Sequence, residues 1–243
     1  MKLAVLSDIH GNLGALDAVL ADCAARGVET IVNLGDILSG PLQPAATAAR
    51  LMALDLPTIR GNHERQLLED DCAAMGPSDR HALAELDERA LQWITAVPVW
   101  LQIGDIYLCH GRPGDDMRYL LETVEPSGAR AATMAEVSER LEGIDARLIL
   151  CGHSHMPRVM RLDDGRQAVN PGSVGLPAYG WDWPHNHKME TGTPHARYAV
   201  IATAADGYAV ELVSVTYDWD AAAARAEANG RPEWAKALRT GRV

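Results

Sequence analysis

Residues 2–36 read KLAVLSDIHGNLGALDAVLADCAARGVETIVNLGD and carry the clearest structural signal in the chain. Lys2–Ser7 is a short, continuous run that is typical of a strand covered on both faces. Leu13–Arg26 has the apolar spacing of a helix, and Gly27 is placed to end it. Thr30–Leu34 is a second apolar run. We therefore predict two parallel strands joined by a crossover helix.

The alternation continues beyond this unit. Pro44–Leu54 is predicted as a second helix and Pro57–Ile59 as a third strand, which gives the βαβαβ order of a parallel sheet. Further helices are predicted at Ser78–Thr95, Ala129–Leu141 and Asp218–Asn229, with a last short helix opened by Pro232. Further strands are predicted at Val99–Ile103, Ile106–Cys109, Arg147–Cys151, Arg158–Leu162, Gln167–Val169, Tyr198–Thr203 and Tyr208–Thr216.

This order of elements predicts the α/β class with mixed sheets. The expected architecture is a four-layer αββα sandwich, in which two mixed β-sheets are flanked by helices. We expect one domain over residues 1–243, with 218–243 as a C-terminal helical tail. The Ala-rich tail is expected to serve core or subunit packing and not ligand binding, and an oligomer is compatible with it.

Charge and composition narrow the classes of function. The chain has 22 Lys and Arg against 33 Asp and Glu, a net charge of −11. Stable nucleic-acid binding is not expected, because it requires a basic face that displaces counterions from phosphates. An acidic protein can collect cations, although the same charge also serves solubility.

The cysteines and the apolar runs indicate the cellular compartment of the protein. Cys23, Cys72, Cys109 and Cys151 form no CxxC pair, so reduced thiols in a reducing compartment are expected. The first apolar run is too short for a signal peptide, and no stretch approaches the roughly 20 apolar residues that span a bilayer. We expect a cytoplasmic protein without a membrane partner.

Five short polar segments each follow a predicted strand. They are Asp8-Ile9-His10, Gly35-Asp36, Gly61-Asn62-His63-Glu64, Cys109-His110-Gly111 and Gly152-His153-Ser154-His155. Loops at the carboxyl ends of strands converge on one crevice, so these segments are expected to meet. Residues two apart on an extended chain point to the same side, which predicts that Asp8 and His10 bind one ion together. The same geometry is expected of His153 and His155.

The donors in these segments are two Asp, one Asn and four His, with no thiolate. Such a set suits Mn, Fe, Ni, Co or Zn better than calcium or a structural zinc site. Each motif alone arises often by chance. Their common order behind strands predicts a metal site.

The order DxH, GD, GNHE, H-G and GHSH resembles the calcineurin-like metallophosphoesterase superfamily, whose fold is a double β-sheet sandwich with outer helices. Asn170–Gly175 and the hairpin after it resemble the small bacterial phosphodiesterases of that family. The resemblance covers the chain up to about Asp218.

The resemblance implies two divalent ions, with Mn preferred and Fe, Ni, Co or Zn as alternatives. Asp36 would bridge both ions and His63 would be the catalytic histidine, protonating the leaving group or holding the phosphate. A hydroxide between the ions would attack the phosphate in line. The remaining ligands would be Asp8, His10 and His155 for one ion, and Asn62, His110 and His153 for the other.

The implied substrates are small phosphodiesters, phosphomonoesters or nucleotides. Gly35–Gly40 lacks the Asp-Arg pair of the protein Ser/Thr phosphatases, which makes a protein substrate less expected. A dinucleoside polyphosphate hydrolase, a protein phosphatase and a noncatalytic metal-binding scaffold remain alternatives. Arg112 and Arg60 are candidates for phosphate contact.

Other residues near the motifs are given structural roles. Glu64 is expected to cap the helix that follows it, and Cys109 and Cys151 to be small buried strand residues. Asn170–Gly175 is expected to form a tight turn near the site. Residues 176–195 contain Trp and His without periodicity; a surface excursion is favoured over a lid.

Overall fold

The computed structural model describes residues 2–243. Its helices are α1 (Leu13–Ala25), α2 (Pro44–Leu54), α3 (Asn62–Glu69), α4 (Pro77–Glu85), α5 (Glu88–Ala96), α6 (Met134–Arg140), α7 (Trp219–Ala228) and α8 (Pro232–Thr240). Its strands are β1 (Lys2–Leu6), β2 (Thr30–Asn33), β3 (Trp100–Ile103), β4 (Ile106–Cys109), β5 (Glu122–Glu125), β6 (Gly128–Ala131), β7 (Leu148–Leu150), β8 (Arg158–Arg161), β9 (Gln167–Asn170), β10 (Ala178–Trp181), β11 (His187–Glu190), β12 (Ala196–Ala204) and β13 (Gly207–Val215). None of these helices is long and apolar enough to cross a membrane.

Two mixed sheets face each other. The first has the order β13-β12-β1-β2, with β1 and β2 parallel and β12 antiparallel to β1. The second has the order β3-β4-β7-β9-β8, in which β4, β7 and β9 are parallel and the two edge strands are antiparallel to their neighbours. The predicted α/β class with two mixed sheets is confirmed.

The buried side chains form layers on both sides of β1. Leu3 and Val5 lie in the cluster between the sheets, together with Leu108 and Leu150 of the second sheet. The alternate residues of β1 lie in a second cluster, with α1, α2 and α5. A third cluster packs α6 on the outer face of the second sheet, and the predicted buried cysteines Cys109 and Cys151 lie there. This is the four-layer αββα arrangement.

The predicted third strand at Pro57–Ile59 is wrong. Only a single parallel bridge, between Asn33 and Thr58, is present. Asn33 N donates to Pro57 O and Ile59 N donates to Asn33 O, both at 3.0 Å. Arg60 N then donates to Pro98 O, so the chain leaves β2 after one residue pair.

Two predicted helices are wrong in extent because local caps interrupt them. The segment predicted as one helix at Ser78–Thr95 is two helices, since Leu86 and Asp87 are extended and Asp87 accepts from Ala90 N to begin α5. Ala129–Leu141 begins as strand β6 in a hairpin with β5. Its helix starts only at Met134, after Thr133 and Glu136 form a capping box.

The segment 176–195 is ordered and not a plain surface excursion. Strands β10 and β11 form an antiparallel hairpin, with Ala178 opposite Glu190 and Trp181 opposite His187. Leu176 and Ala178 pack with Trp234 and Leu238 of α8 in a fourth apolar cluster. The tail helices therefore pack into the core, as predicted, and they hold this hairpin.

Candidate metal centre

Four strands end at the same edge of the sandwich, and their following loops carry the acidic and imidazole side chains. Asp8, His10 and His155 form one group, and Asp36, His110 and His153 form another. All six are buried, and within each group one ligand atom per residue lies within 4.8 Å of the others. The structure therefore brings together six of the seven predicted ligands as two triads.

The backbone reaches this arrangement by left-handed turns and not by extended alternation. The φ angles of Asp8, His10, Asp36, His153 and His155 are 54°, 51°, 51°, 66° and 58°. The expectation that extended strand ends align the Asp8–His10 and His153–His155 pairs is thus wrong. Side chains with a Cβ rarely adopt this conformation, which costs roughly 1–2 kcal/mol per residue, so the surrounding structure must impose it.

Backbone hydrogen bonds between the loops supply part of that constraint. Asp8 N and His10 N donate to Gly35 O and Asp36 O at 3.0 Å, which ties the loop after β1 to the loop after β2. Within the predicted turn of residues 170–175, Ser173 Oγ donates to Asp8 O at 2.8 Å. Asn170 Nδ2 donates to Gly152 O at 2.7 Å and so braces the loop after β7.

The tautomer of each histidine follows from a backbone carbonyl, which can only accept a hydrogen bond. Three Nδ1–H groups donate to carbonyl oxygens at 2.7 Å: His10 to Ser39, His110 to Leu34 and His155 to Leu176. The Nε2 atoms of these three rings therefore face the centre, and each offers a lone pair as a ligand when its ring is neutral. His153 has the opposite tautomer, because its Nε2–H donates to Met117 O at 3.2 Å and leaves the Nδ1 lone pair available as a ligand.

The inward-facing atoms of these rings and carboxylates favour a bound cation. Nε2 of His10 and Nε2 of His155 lie 3.1 Å apart, so two lone pairs face each other when both rings are neutral. Burial lowers the pKa of His10 to about 4 and that of His153 to about 3, which favours the neutral ligand form. Burial opposes protonation of His110 too, but the carboxylates of Asp36 and Asp8 outweigh it and raise its pKa to about 10. Divalent ions would satisfy these carboxylates and lone pairs together.

Asn62, the seventh predicted ligand, is the first residue of α3 and lines a cavity together with His10, Asp36 and the two histidines of the loop after β7. Its Oδ1 is buried and has no hydrogen-bond partner among the described residues, whereas its Nδ2 donates to Gln66 Oε1 at 3.3 Å. A buried acceptor without a donor is costly, and a cation would satisfy it. The donor set therefore fits two divalent ions.

His63 follows Asn62 in the chain and is held by a carboxylate that was not predicted from the sequence. Its Nδ1–H donates to Asp79 Oδ1 at 2.7 Å, and Ser39 Oγ donates to the same oxygen at 2.6 Å. Burial lowers the pKa of His63, but Asp36 and Asp79 outweigh it and raise the pKa to about 9, an effect that bound cations would oppose. In sequence, Asp79 is only an acid in the first turn of a helix, where dipole stabilisation is its usual role.

Glu64 does more than cap α3. Its buried carboxylate accepts from Gly61 N at 3.0 Å, which is the predicted cap. It also accepts from Asp36 N and Ile37 N, each at 2.8 Å. Glu64 thus clamps the loop that carries Asp36 to the start of the helix that carries Asn62.

We expect Glu64→Gln to lower the free energy of unfolding of the metal-free protein by about 2–4 kcal/mol, because its amide NH₂ would face backbone N–H donors and leave them unpaired. Urea denaturation measures the change. Glu139→Gln, on the exposed face of α6, is the matched control and should change stability by less than about 0.5 kcal/mol. Equal stability of the two variants would contradict the clamp.

A cavity of about 320 Å³, called the metal cavity below, opens over the ligands. His10, Asp36, Asn62, His63, His153 and His155 line it. Tyr179 and Trp181 of β10 form one wall and Trp234 of α8 another, so the hairpin and the tail both contribute to the site. From the sequence, residues 176–195 were favoured as a surface excursion and the tail was expected to serve packing, so neither contribution was predicted. Tyr179 also donates its hydroxyl to His153 O at 2.9 Å.

The two predicted arginines lie elsewhere. Arg112 lines a neighbouring cavity of about 280 Å³ and not the metal cavity. Arg60 is not among the residues that line either cavity, and its Nε is buried without a partner among residues 2–243.

Comparison with known proteins agrees with this geometry. The family model described as "Calcineurin-like phosphoesterase superfamily domain" matches residues 1–188. An uncharacterized protein of Methanocaldococcus jannaschii is 26% identical, and the match covers 96% of this chain and 94% of the relative. The phosphodiesterase YfcE of Escherichia coli is 28% identical, with 74% of this chain and 83% of the relative covered.

The fold has a close match among solved structures. The crystal structure of a metallophosphoesterase from Sphaerobacter thermophilus is 23% identical and covers 99% of both chains, with a TM-score of 0.78. At this identity the likeness concerns the fold, including the tail that the family model does not reach.

Proposed function

The chain belongs to the calcineurin-like phosphoesterase superfamily, and from this we propose that it hydrolyses small-molecule phosphate esters at a centre of two divalent ions. The observation that carries the proposal is the pair of buried triads around one cavity that also contains His63. The predicted ligand sets are kept, with Asp36 as the bridging residue. When bound, the ions would supply a water of lowered pKa and positive charge that neutralises the phosphoryl oxygens.

The chain's own groups have distinct tasks in this proposal. Asp8 and Asp36 supply the negative charge that holds the cations, and the fixed tautomers of the four histidines present lone pairs without rearrangement. His63, held by Asp79, donates a proton to the departing alkoxide or binds the phosphate. The metal identity stays a prediction, with manganese preferred.

The substrate class is proposed from the walls of the cavity. Tyr179, Trp181 and Trp234 surround it with aromatic surface, which suits the organic group of a small ester or nucleotide. A phosphodiester is favoured by the name of the relative from Escherichia coli, a phosphodiesterase. We treat residues 1–243 as one catalytic unit, because Trp234 of the tail lies 5.9 Å from the His10 ring between centroids. Cytoplasmic location stays a prediction.

Removal of metal is expected to abolish hydrolysis, and transition metals are expected to restore it, with Mn or a close neighbour best. The test is metal-stripped protein, verified by elemental analysis and supplied separately with Mn, Ni, Co, Mg and Zn, on a panel of nucleotides and generic phosphate esters. Full activity of the verified metal-free protein would contradict the proposed centre. A mixed Asp, Asn and His donor set is the reason for expecting these metals.

A further inference from the structure

The cavity that Arg112 lines adjoins the metal cavity. The two share Met117 and Trp181 as lining residues, so Trp181 stands between them. The lining of the second cavity also includes Arg118, Arg140 and Trp183. A molecule that occupied both cavities would therefore pass the Trp181 ring.

Positive charge is concentrated in this cavity, although the protein carries a net charge of −11. Its lining includes three arginines and one carboxylate, Glu122. One oxygen of that carboxylate is engaged, because Arg158 Nε donates to Glu122 Oε1 at 3.0 Å, and Oε2 is buried without a partner among the described residues. The lining therefore carries more positive than negative charge, although the protein as a whole is acidic and Asp115 lies beside two of the arginines.

Two of the arginines keep donor capacity for a ligand. Arg112 and Arg118 each approach the same oxygen, Oδ2 of Asp115, at 3.5 Å. This is longer than the roughly 2.7–2.9 Å of a charge-assisted hydrogen bond. The neighbouring carboxylate, Asp116, is held by Arg65 at 2.7 Å and 2.9 Å and does not compete.

The third arginine forms a fixed base of the cavity. Arg140 donates to Leu120 O at 2.7 Å and to Glu122 O at 2.9 Å. On the rim, the Arg118 guanidinium lies 5.8 Å from the centroid of the Trp183 ring, which is 43% exposed. The Trp181 and Trp183 rings lie 5.4 Å apart. Exposed aromatic faces beside guanidinium groups suit a nucleobase followed by a phosphate.

We propose that this cavity is a subsite for a second phosphate group of a nucleotide-type substrate, bound by Arg112 and Arg118 while another phosphate lies at the metal centre. The inference rests on the proposed function and specifies its substrate class. It also gives Arg112 a role that its position allows, since Arg112 lies outside the metal cavity.

The test is the binding of two adenosine nucleotides to metal-loaded protein by titration calorimetry, with each phosphate ester oxygen replaced by CH₂ so that the ligands are not hydrolysed. One ligand is adenosine monophosphate and the other an adenosine bisphosphate with one phosphate on each side of the ribose. The two differ only in the second phosphate. We expect the bisphosphate to bind about 10- to 100-fold more tightly, the value of charged hydrogen bonds to one phosphate.

Arg118→Ala is expected to remove most of that difference and to change monophosphate binding by less than about threefold, because Arg118 is outside the metal cavity and its side chain is 54% exposed. Arg112→Ala should act in the same direction. Arg89→Ala, an exposed arginine on α5, removes the same charge elsewhere and should keep the full difference.

Equal affinity of the wild-type protein for the two nucleotides would overturn the subsite. So would an unchanged difference in both Arg118→Ala and Arg112→Ala. The proposed function would fail in a different experiment. In that case, adding metal to the metal-stripped protein would restore hydrolysis of none of the esters tested.

Discussion

Asp36→Asn is expected to lower kcat/KM for phosphate esters by about 10³- to 10⁴-fold, more than any other single change among the seven ligands. Asp36 is the only residue assigned to both ions. Its Oδ2 lies 3.1 Å from Nε2 of His110, and its Oδ1 accepts from His63 N at 3.0 Å. An amide of the same shape removes the charge that holds the ions close and presents a donor where the carboxylate accepts.

The measurement is steady-state kinetics together with elemental analysis of bound metal. Asp17→Asn is the matched control, since Asp17 forms only a surface ion pair with Arg50 and the two side chains are 50% and 42% exposed. We expect this control to keep full activity. Near wild-type turnover of Asp36→Asn with both ions bound would exclude the bridging role.

His63→Ala is expected to separate chemistry from metal binding. If His63 protonates the leaving group, the rate on esters with basic alkoxide leaving groups should fall by about 10²- to 10⁴-fold, the usual contribution of general acid catalysis. On p-nitrophenyl esters the loss should be below about tenfold, because that leaving group departs without a proton. Metal content should not change, because His63 belongs to neither triad.

A substitution of Asp79 provides a second test of the acid role of His63. Asp79→Asn keeps the His63 ring but weakens the hydrogen bond that orients it, so it should show the same dependence on the leaving group with a smaller loss. His81→Ala is the matched control, because His81 is on α4, pairs with Glu85 and does not line the metal cavity. Equal losses of His63→Ala on both ester classes would remove the acid role and leave the two-ion site intact.

The core of the fold was predictable because its signals are local. β1 is apolar on both faces since one face meets the second sheet and the other meets α1 and α2. The helix at Pro44–Leu54 was predicted with the same bounds as in the structure. Pro44 starts it, and its apolar residues recur with the helical period. Errors arose where a cap competed with the apolar pattern, as at Asp87 and Thr133.

The convergence of the polar loops was predictable for a related reason. Parallel strands place their carboxyl ends at one edge, so polar residues that follow several strands must meet there. Chain order therefore indicated that Asp8, Asp36 and His110 would lie together. It did not indicate the left-handed turns at Asp8 and His10, which depend on hydrogen bonds to the loop after β2.

Residue types and their order were thus sufficient to predict the sandwich, the family resemblance and the set of candidate ligands. The surroundings of that set depend on contacts between segments far apart in sequence, for which no periodic signal exists. Asp79 reaches His63 because α4 packs near α3, and Trp234 reaches His10 because the tail folds back over the loop after β2. Such contacts arise from packing of whole elements, and a polar or aromatic residue on a helix looks the same in sequence whether it faces a site or solvent.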